Sequence, residues 1–145
     1  HNIAKFEEYD GEELLVHRKG ATRALPEGHK DNNEKYLSTG QPAVIPGTMG
    51  TASYVVVGTQ LAEETFYSVN HGAGRVLSRT AARKTITEKE FTDSMEDVVH
   101  FHRPRKVIDE APGAYKDIET VVDTLADIEI TKKVVQLKPM GVLKG

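Results

Sequence analysis

The chain has no cysteine, no tryptophan and only 6% aromatic residues. Nor does it contain an apolar run approaching the roughly 18 residues of a membrane helix. Without cysteine there is neither a disulfide nor a thiolate metal site within these residues, so nothing signals an oxidising compartment. The opening residues His1-Asn2-Ile3-Ala4-Lys5-Phe6-Glu7-Glu8 lack the apolar core of a secretory signal. The expectation is a cytoplasmic protein with no membrane partner. An initiator methionine is also missing, and the chain starts inside a strand-like alternation, so it reads as a piece of something longer.

What is present suits one domain with a sizeable core. The 145 residues are 38% hydrophobic and 28% charged, which excludes disordered and collagen-like classes. A formal charge of -3 argues against a general nucleic-acid coat, yet such a total can hide a local basic stripe that engages phosphates.

Residues Ile3 to Tyr9 and Glu13 to Ala21 flank Asp10-Gly11, the sequence of a tight hairpin turn. A polar, breaker-rich loop runs from Leu25 to Pro42. Ala43-Val44-Ile45 predicts a short strand, Ala52 to Gly58 a buried one, and Glu64 to Asn70 a third. Helical spacing recurs over Arg75 to Lys84. Thr87 and Glu90 make a capping box for a helix reaching about Asp97. Val98 to His102 is short and strand-like, Ile118, Val122 and Leu125 repeat at helical spacing, and Ile130 to Leu137 closes with a strand. The class is therefore α+β, with mixed or antiparallel sheets and flanking helices.

The segment Ser68-Val69-Asn70-His71-Gly72-Ala73-Gly74-Arg75-Val76-Leu77-Ser78-Arg79 puts a possible nucleophile beside permissive backbone and fixed positive charge. Pro46-Gly47-Thr48-Met49-Gly50-Thr51-Ala52-Ser53-Tyr54 is rich in glycine and hydroxyls but has no Gly-Lys-Ser/Thr ending, so it is not a P-loop. Gly72-Ala73-Gly74 lacks the third glycine of a dinucleotide fingerprint. Both loops suit an anion-binding nest or a tight structural turn. His100 and His102 would share a strand face and could chelate a metal, but Arg103, Arg105 and Lys106 beside them favour a solvated basic face. His17-Arg18-Lys19-Gly20-Ala21-Thr22-Arg23 suits phosphate contacts or a charge-protected sheet edge.

Six blocks, in order, carry a resemblance: His1 to Lys5, His17 to Ala24, Pro46 to Tyr54, Asn70 to Arg75, Asp109 to Asp117 and Lys138 to Gly145. Together they closely resemble the carboxy-terminal part of the RtcB family of tRNA-splicing RNA ligases. Residues 1–145 would then be the carboxy-terminal part of a single ligase domain whose amino-terminal part is missing.

The resemblance implies a GTP- and manganese-dependent enzyme of tRNA processing and RNA repair. It joins RNA ends carrying a 2′,3′-cyclic phosphate or 3′-phosphate to a 5′-hydroxyl. His71 matches the histidine that accepts guanylate, and His1 matches a manganese ligand. Thr48 stands where the family usually has serine. With Ser53, Ala73, Gly74, Tyr115 and Lys144 it falls among the guanine-nucleotide contacts. Lys19, Arg75 and Arg79 match phosphate or RNA contacts, while Asp109 and Glu110 suit a structural role. The other metal ligands would lie in the missing amino-terminal portion, so the isolated piece is expected to be inactive. An archease-type activator is a further partner the resemblance admits. The alternative is a non-catalytic fragment that binds nucleotide or RNA phosphate through Lys19, Arg23, Arg75 and Arg79.

Overall fold

The computed structural model describes residues 2–144, and they form an α+β fold of antiparallel sheets, one short parallel pair and flanking helices. β1 (Asn2–Tyr9) and β2 (Glu12–Lys19) pair from Asn2 opposite Lys19 to Tyr9 opposite Glu12. Asp10 and Gly11 close the hairpin with φ values of 50° and 80°, the left-handed pair that a two-residue hairpin turn requires. The second arm stops short of Ala21 because Gly20, at φ 69°, redirects the chain. Ala21–Arg23 becomes a separate strand, β3, which pairs with a distant one, Ser68–Asn70.

A buried ion pair ties the hairpin to that second sheet. Arg18 is 3% exposed and Glu7 8%. The guanidinium donates to both Glu7 oxygens at 2.8 and 2.7 Å, to Ser68 Oγ at 2.8 Å and to the Phe66 carbonyl at 2.6 Å. Tyr9 donates to Glu7 Oε2 at 2.7 Å, and Arg23 reaches Oε1 at 3.4 Å. Burial alone would raise the Glu7 pKa. Hydrogen bonds from Arg18 and Tyr9, with the charges of Arg18 and Arg23, outweigh it and bring the carboxyl from 4.5 down to about 2. The basic run around Arg18 is thus divided: Arg18 and Arg23 turn inward to Glu7, while Lys19 faces solvent.

The central sheet has the order β4 (Pro42–Ile45), β5 (Ser53–Gly58), β8 (Thr131–Leu137), all antiparallel. On β5 the buried residues are Tyr54, Val56 and Gly58. Gly58 is obligatory, since a Cβ there would lie 2.1 Å from the Ala24 carbonyl oxygen. Helix α4 (Ile118–Asp127) starts at Asp117, whose carboxylate accepts from Thr120 N at 2.8 Å. Its apolar stripe of Ile118, Val122 and Leu125 covers Ala43, Ile45, Tyr54, Val56, Val69 and Ala73. Because Ala73 belongs to this core, the loop that follows the histidine is anchored on it.

The strand expected over Glu64 to Asn70 is only β6 (Ser68–Asn70), preceded by a 3-10 turn over Gln60–Thr65. Phe66 and Tyr67 adopt φ of 53° and 48°, which no strand accommodates, and so deliver Tyr67 to a core with Tyr9, Leu25, Ala62 and Ile130. Helix α1 is Arg79–Thr85, begun by Ser78 Oγ accepting from Ala81 N at 3.1 Å, so Arg75 to Leu77 lie outside it, Arg75 in a bridge and Val76 and Leu77 in a bend. Helix α2 (Glu88–Ser94) has its capping box but ends before Asp97, because Met95 and Val98 turn into a third core with Phe91, Ile108 and Ala111. β7 is only Val99–His100, paired in parallel with β9 (Gly141–Val142), and the short α3 (Pro104–Val107) follows.

Arg18→Met leaves the Glu7 carboxylate buried without its main partner and should cost about 3–5 kcal/mol in urea unfolding. The Glu7 pKa is lowered on folding, so its stabilisation is complete above the unfolded value and fades as pH falls toward the folded one. Glu7→Gln should accordingly flatten the loss of stability between about pH 5 and pH 2. An unchanged acid profile would contradict this.

Candidate functional site

The glycine and hydroxyl loop between β4 and β5 is held by its own side chains. Ser53 Oγ accepts from Gly47 N at 3.2 Å, and Thr51 Oγ1 accepts from Thr48 N at 2.8 Å. The hydroxyls of Thr48 and Thr51 share a 2.8 Å hydrogen bond, and Thr48 Oγ1 accepts from Gly50 N at 3.3 Å. A Cβ on Gly50 would lie 2.5 Å from the Ser94 carbonyl oxygen and 2.8 Å from Pro112 Cγ, so this loop packs against the end of α2 and the 112 turn only as glycine.

The histidine loop joins this one through the backbone. His71 N donates to the Gly20 carbonyl at 3.2 Å, and Ala73 N to the Pro46 carbonyl at 3.0 Å. Gly74 turns at φ 73° with open space around its α-carbon, leaving room that a side chain would take. Its carbonyl accepts from Lys116 N at 2.9 Å, and Arg75 then pairs antiparallel with Tyr115 as an isolated bridge.

From that bridge a cationic cluster extends. The Arg75 guanidinium lies 4.8 Å from the Tyr115 ring centroid, donates to its hydroxyl at 3.0 Å, and also reaches the carbonyls of Leu77 and Asp109. Asp109, 4% exposed, receives Arg83 at 2.7 Å and Arg79 Nε at 4.0 Å. Glu110 pairs with Arg79 at 3.4 Å and with the Lys144 ammonium. Three cations, Arg79, Arg83 and Lys144, thus pair with two carboxylates, and Arg75 beside them reaches only neutral acceptors, so the four together carry a surplus of two positive charges. Burial holds the Lys144 ammonium below its ordinary range, Asp109 opposes that, and the charges of Arg79 and Arg75 reinforce it. The backbone N of Lys144 donates to His102 Nε2 at 3.0 Å.

The structure therefore brings Arg75, Arg79, Tyr115 and Lys144 together, with Ala73 and Gly74 leading into them. Thr48 and Ser53 sit in the adjoining loop, joined through the Pro46 carbonyl. Lys19 is exposed at the end of β2, next to the Gly20 whose carbonyl receives His71 N. His1 lies outside the described residues. Asp109 and Glu110 pair with these cations. Arg83 and His102 were not singled out as partners of this cluster. The i,i+4 spacing of Arg79 and Arg83 after the Ser78 cap was the available signal for Arg83. The rings of His100 and His102 stack in parallel, 6.3 Å apart, and among the described residues no group of three or more metal-binding side chains assembles.

An α+β unit whose loops converge on a surplus of arginine and lysine, beside backbone open at Gly74, has the charge and the space that suit phosphate groups. The family model described as "tRNA-splicing ligase RtcB" matches residues 1–145, and the chain belongs to that family. It is 48% identical over 153 residues to a tRNA-splicing ligase RtcB of Methanococcus maripaludis, covering 100% of this chain and 32% of that relative. A tRNA-splicing ligase RtcB of Pyrococcus furiosus is also 48% identical over 153 residues, covering 100% of this chain and 16% of the relative. The chain thus spans about a third or less of the curated relatives it matches.

Arg83→Ala leaves the Asp109 carboxylate facing Arg79 alone and should cost about 1–3 kcal/mol in chemical unfolding. Adding Asp109→Asn should restore part of that loss. A double variant no more stable than Arg83→Ala would show that the buried charge is not what Arg83 compensates.

Proposed function

We propose that the full-length protein carrying this chain is a cytoplasmic RNA ligase, guanylated on His71, that joins a 2′,3′-cyclic phosphate or 3′-phosphate end to a 5′-hydroxyl end. The observation that carries this reading is the joining of the His71 loop to the hydroxyl loop, the Tyr115 segment and the Lys144 cluster by Ala73 N to Pro46 O, Lys116 N to Gly74 O and the Arg75 to Tyr115 bridge. Neutral imidazole is a competent nucleophile near neutral pH. A His71 ring nitrogen attacks the α-phosphorus of GTP, an N–P bond forms, the bridging P–O bond breaks and pyrophosphate leaves. The ring sheds its other proton. An oxygen of the RNA 3′-phosphate then displaces His71 from phosphorus, and a 2′,3′-cyclic end reaches the same 3′-phosphate by adding water. Finally the 5′-hydroxyl attacks that 3′-phosphate, forming the phosphodiester and releasing GMP.

In this reading Thr48, Ser53, Tyr115 and Lys144 hold the nucleotide, with the backbone of Ala73 and Gly74 close to its phosphates. Lys19, Arg75 and Arg79 offset phosphate charge. Manganese would be held by His1 together with ligands outside this chain. The described residues do not by themselves make a metal site. The nucleotide fits better: the cationic surplus and the open backbone at Gly74 suit a polyanion.

The full-length protein, incubated with GTP labelled at the α-phosphate and with manganese, should become labelled. His71→Ala should reduce the label to background, and the isolated 145-residue chain should not label. Label retained by His71→Ala overturns the assignment.

A further inference from the structure

A second basic feature adjoins the cluster, sharing Lys144 with the proposed nucleotide site while its other cations lie outside that site. It is a cleft of about 840 Å³ whose walls include Arg83, Phe101, Arg103, Arg105, Lys106 and Lys144. No aspartate or glutamate lines it, in a chain whose net charge is -3. Among the described residues Arg103 and Lys106 have no carboxylate within ion-pair distance. Arg105 is 87% exposed and pairs only with Glu88, itself half exposed, an ion pair weak enough to exchange for another anion. Phe101 is 89% exposed, a large apolar ring held at the mouth of a cationic groove.

We propose that this cleft is a docking track for single-stranded RNA, with phosphates on Arg103 and Lys106 and a base stacked on Phe101. Cations without partners beside one exposed aromatic ring are the combination by which proteins hold a single strand irrespective of sequence. An acidic protein segment would use the charges but offers a planar ring only at occasional side chains, whereas every nucleotide carries a base beside its phosphate, so the ring favours nucleic acid. The track is continuous with the proposed nucleotide site because Arg83 and Lys144 line the cleft and also pair with Asp109 and Glu110. A strand lying along it would reach Lys144 of that site. This inference rests on the ligase reading.

The test uses the full-length protein and a fluorescent oligouridylate of about ten nucleotides, titrated at several salt concentrations. Phe101→Ala and the double variant Arg103→Glu/Lys106→Glu should each weaken binding at least about tenfold, and the double variant should lower the salt slope by about two. Thermal midpoints and GTP labelling of His71 should stay at wild-type levels, showing that the fold and the guanylation step are intact. Unchanged RNA affinity in both variants, with labelling intact, overturns the track and leaves the ligase reading standing. Displacement of the RNA by polyglutamate at equal charge concentration would assign the groove to an acidic protein and overturn it too. A wild-type protein that neither labels with GTP nor binds RNA overturns the ligase reading, and this inference with it.

Discussion

The carboxylate of Asp109 is a charge buried almost completely, and a buried charge persists only where cations and donors surround it. Arg83 and Arg79 come to it from α1, and Arg75 reaches the carbonyl of the same residue. Those ion pairs tie α1 to the turn around Ile108–Glu110. Arg75, bonded to the backbone carbonyl of Asp109, lies with its guanidinium against Tyr115 and so ties the segment that follows the histidine loop to the same turn.

Glu7 and Asp109 solve the same problem in opposite ways. Around Glu7 the arginine is as buried as the acid, and Ser68, Phe66 and Tyr9 consume the remaining hydrogen-bonding capacity. The result is a closed knot that fixes the hairpin against the β3 and β6 pair. Around Asp109 the acid is buried while Arg79 and Arg83 are 71% and 51% exposed. Their charges are anchored at one end and open to solvent at the other, which is the arrangement a surface needs in order to meet an incoming phosphate.

Most of the fold was legible because its strongest signals are local. Asp10-Gly11, the Thr87 and Glu90 capping box, the β-branched run of β5 and the apolar stripe of α4 all formed as their chemistry dictates. The departures arise where tertiary demands win. Left-handed backbone at Phe66 and Tyr67 interrupts a strand-like run so that Tyr67 can be buried, and Met95 leaves its helix early to join Phe91. Of the site, the loops could be recognised by their glycines and hydroxyls. The pairing of Arg83 with Asp109 and of Lys144 with Glu110 could not, because partners 26 and 34 residues apart leave no periodic trace in the sequence.

The glycines carry the link between core and site. Gly58 lets β5 pass against Ala24, Gly50 lets the hydroxyl loop approach the end of α2, and Gly74 leaves backbone uncovered beside Arg75. The first two are forced by contacts under 3 Å that any Cβ would make, so packing alone accounts for them. Gly74 meets nothing: its positive φ is satisfied by glycine, but its empty surroundings serve no packing purpose. A turn needed only for direction would tolerate asparagine at such a φ, whereas a turn that must admit phosphate close to the main chain would not tolerate a side chain. Gly74 is therefore the position at which the demands of fold and proposed function separate, and it lies three residues after His71.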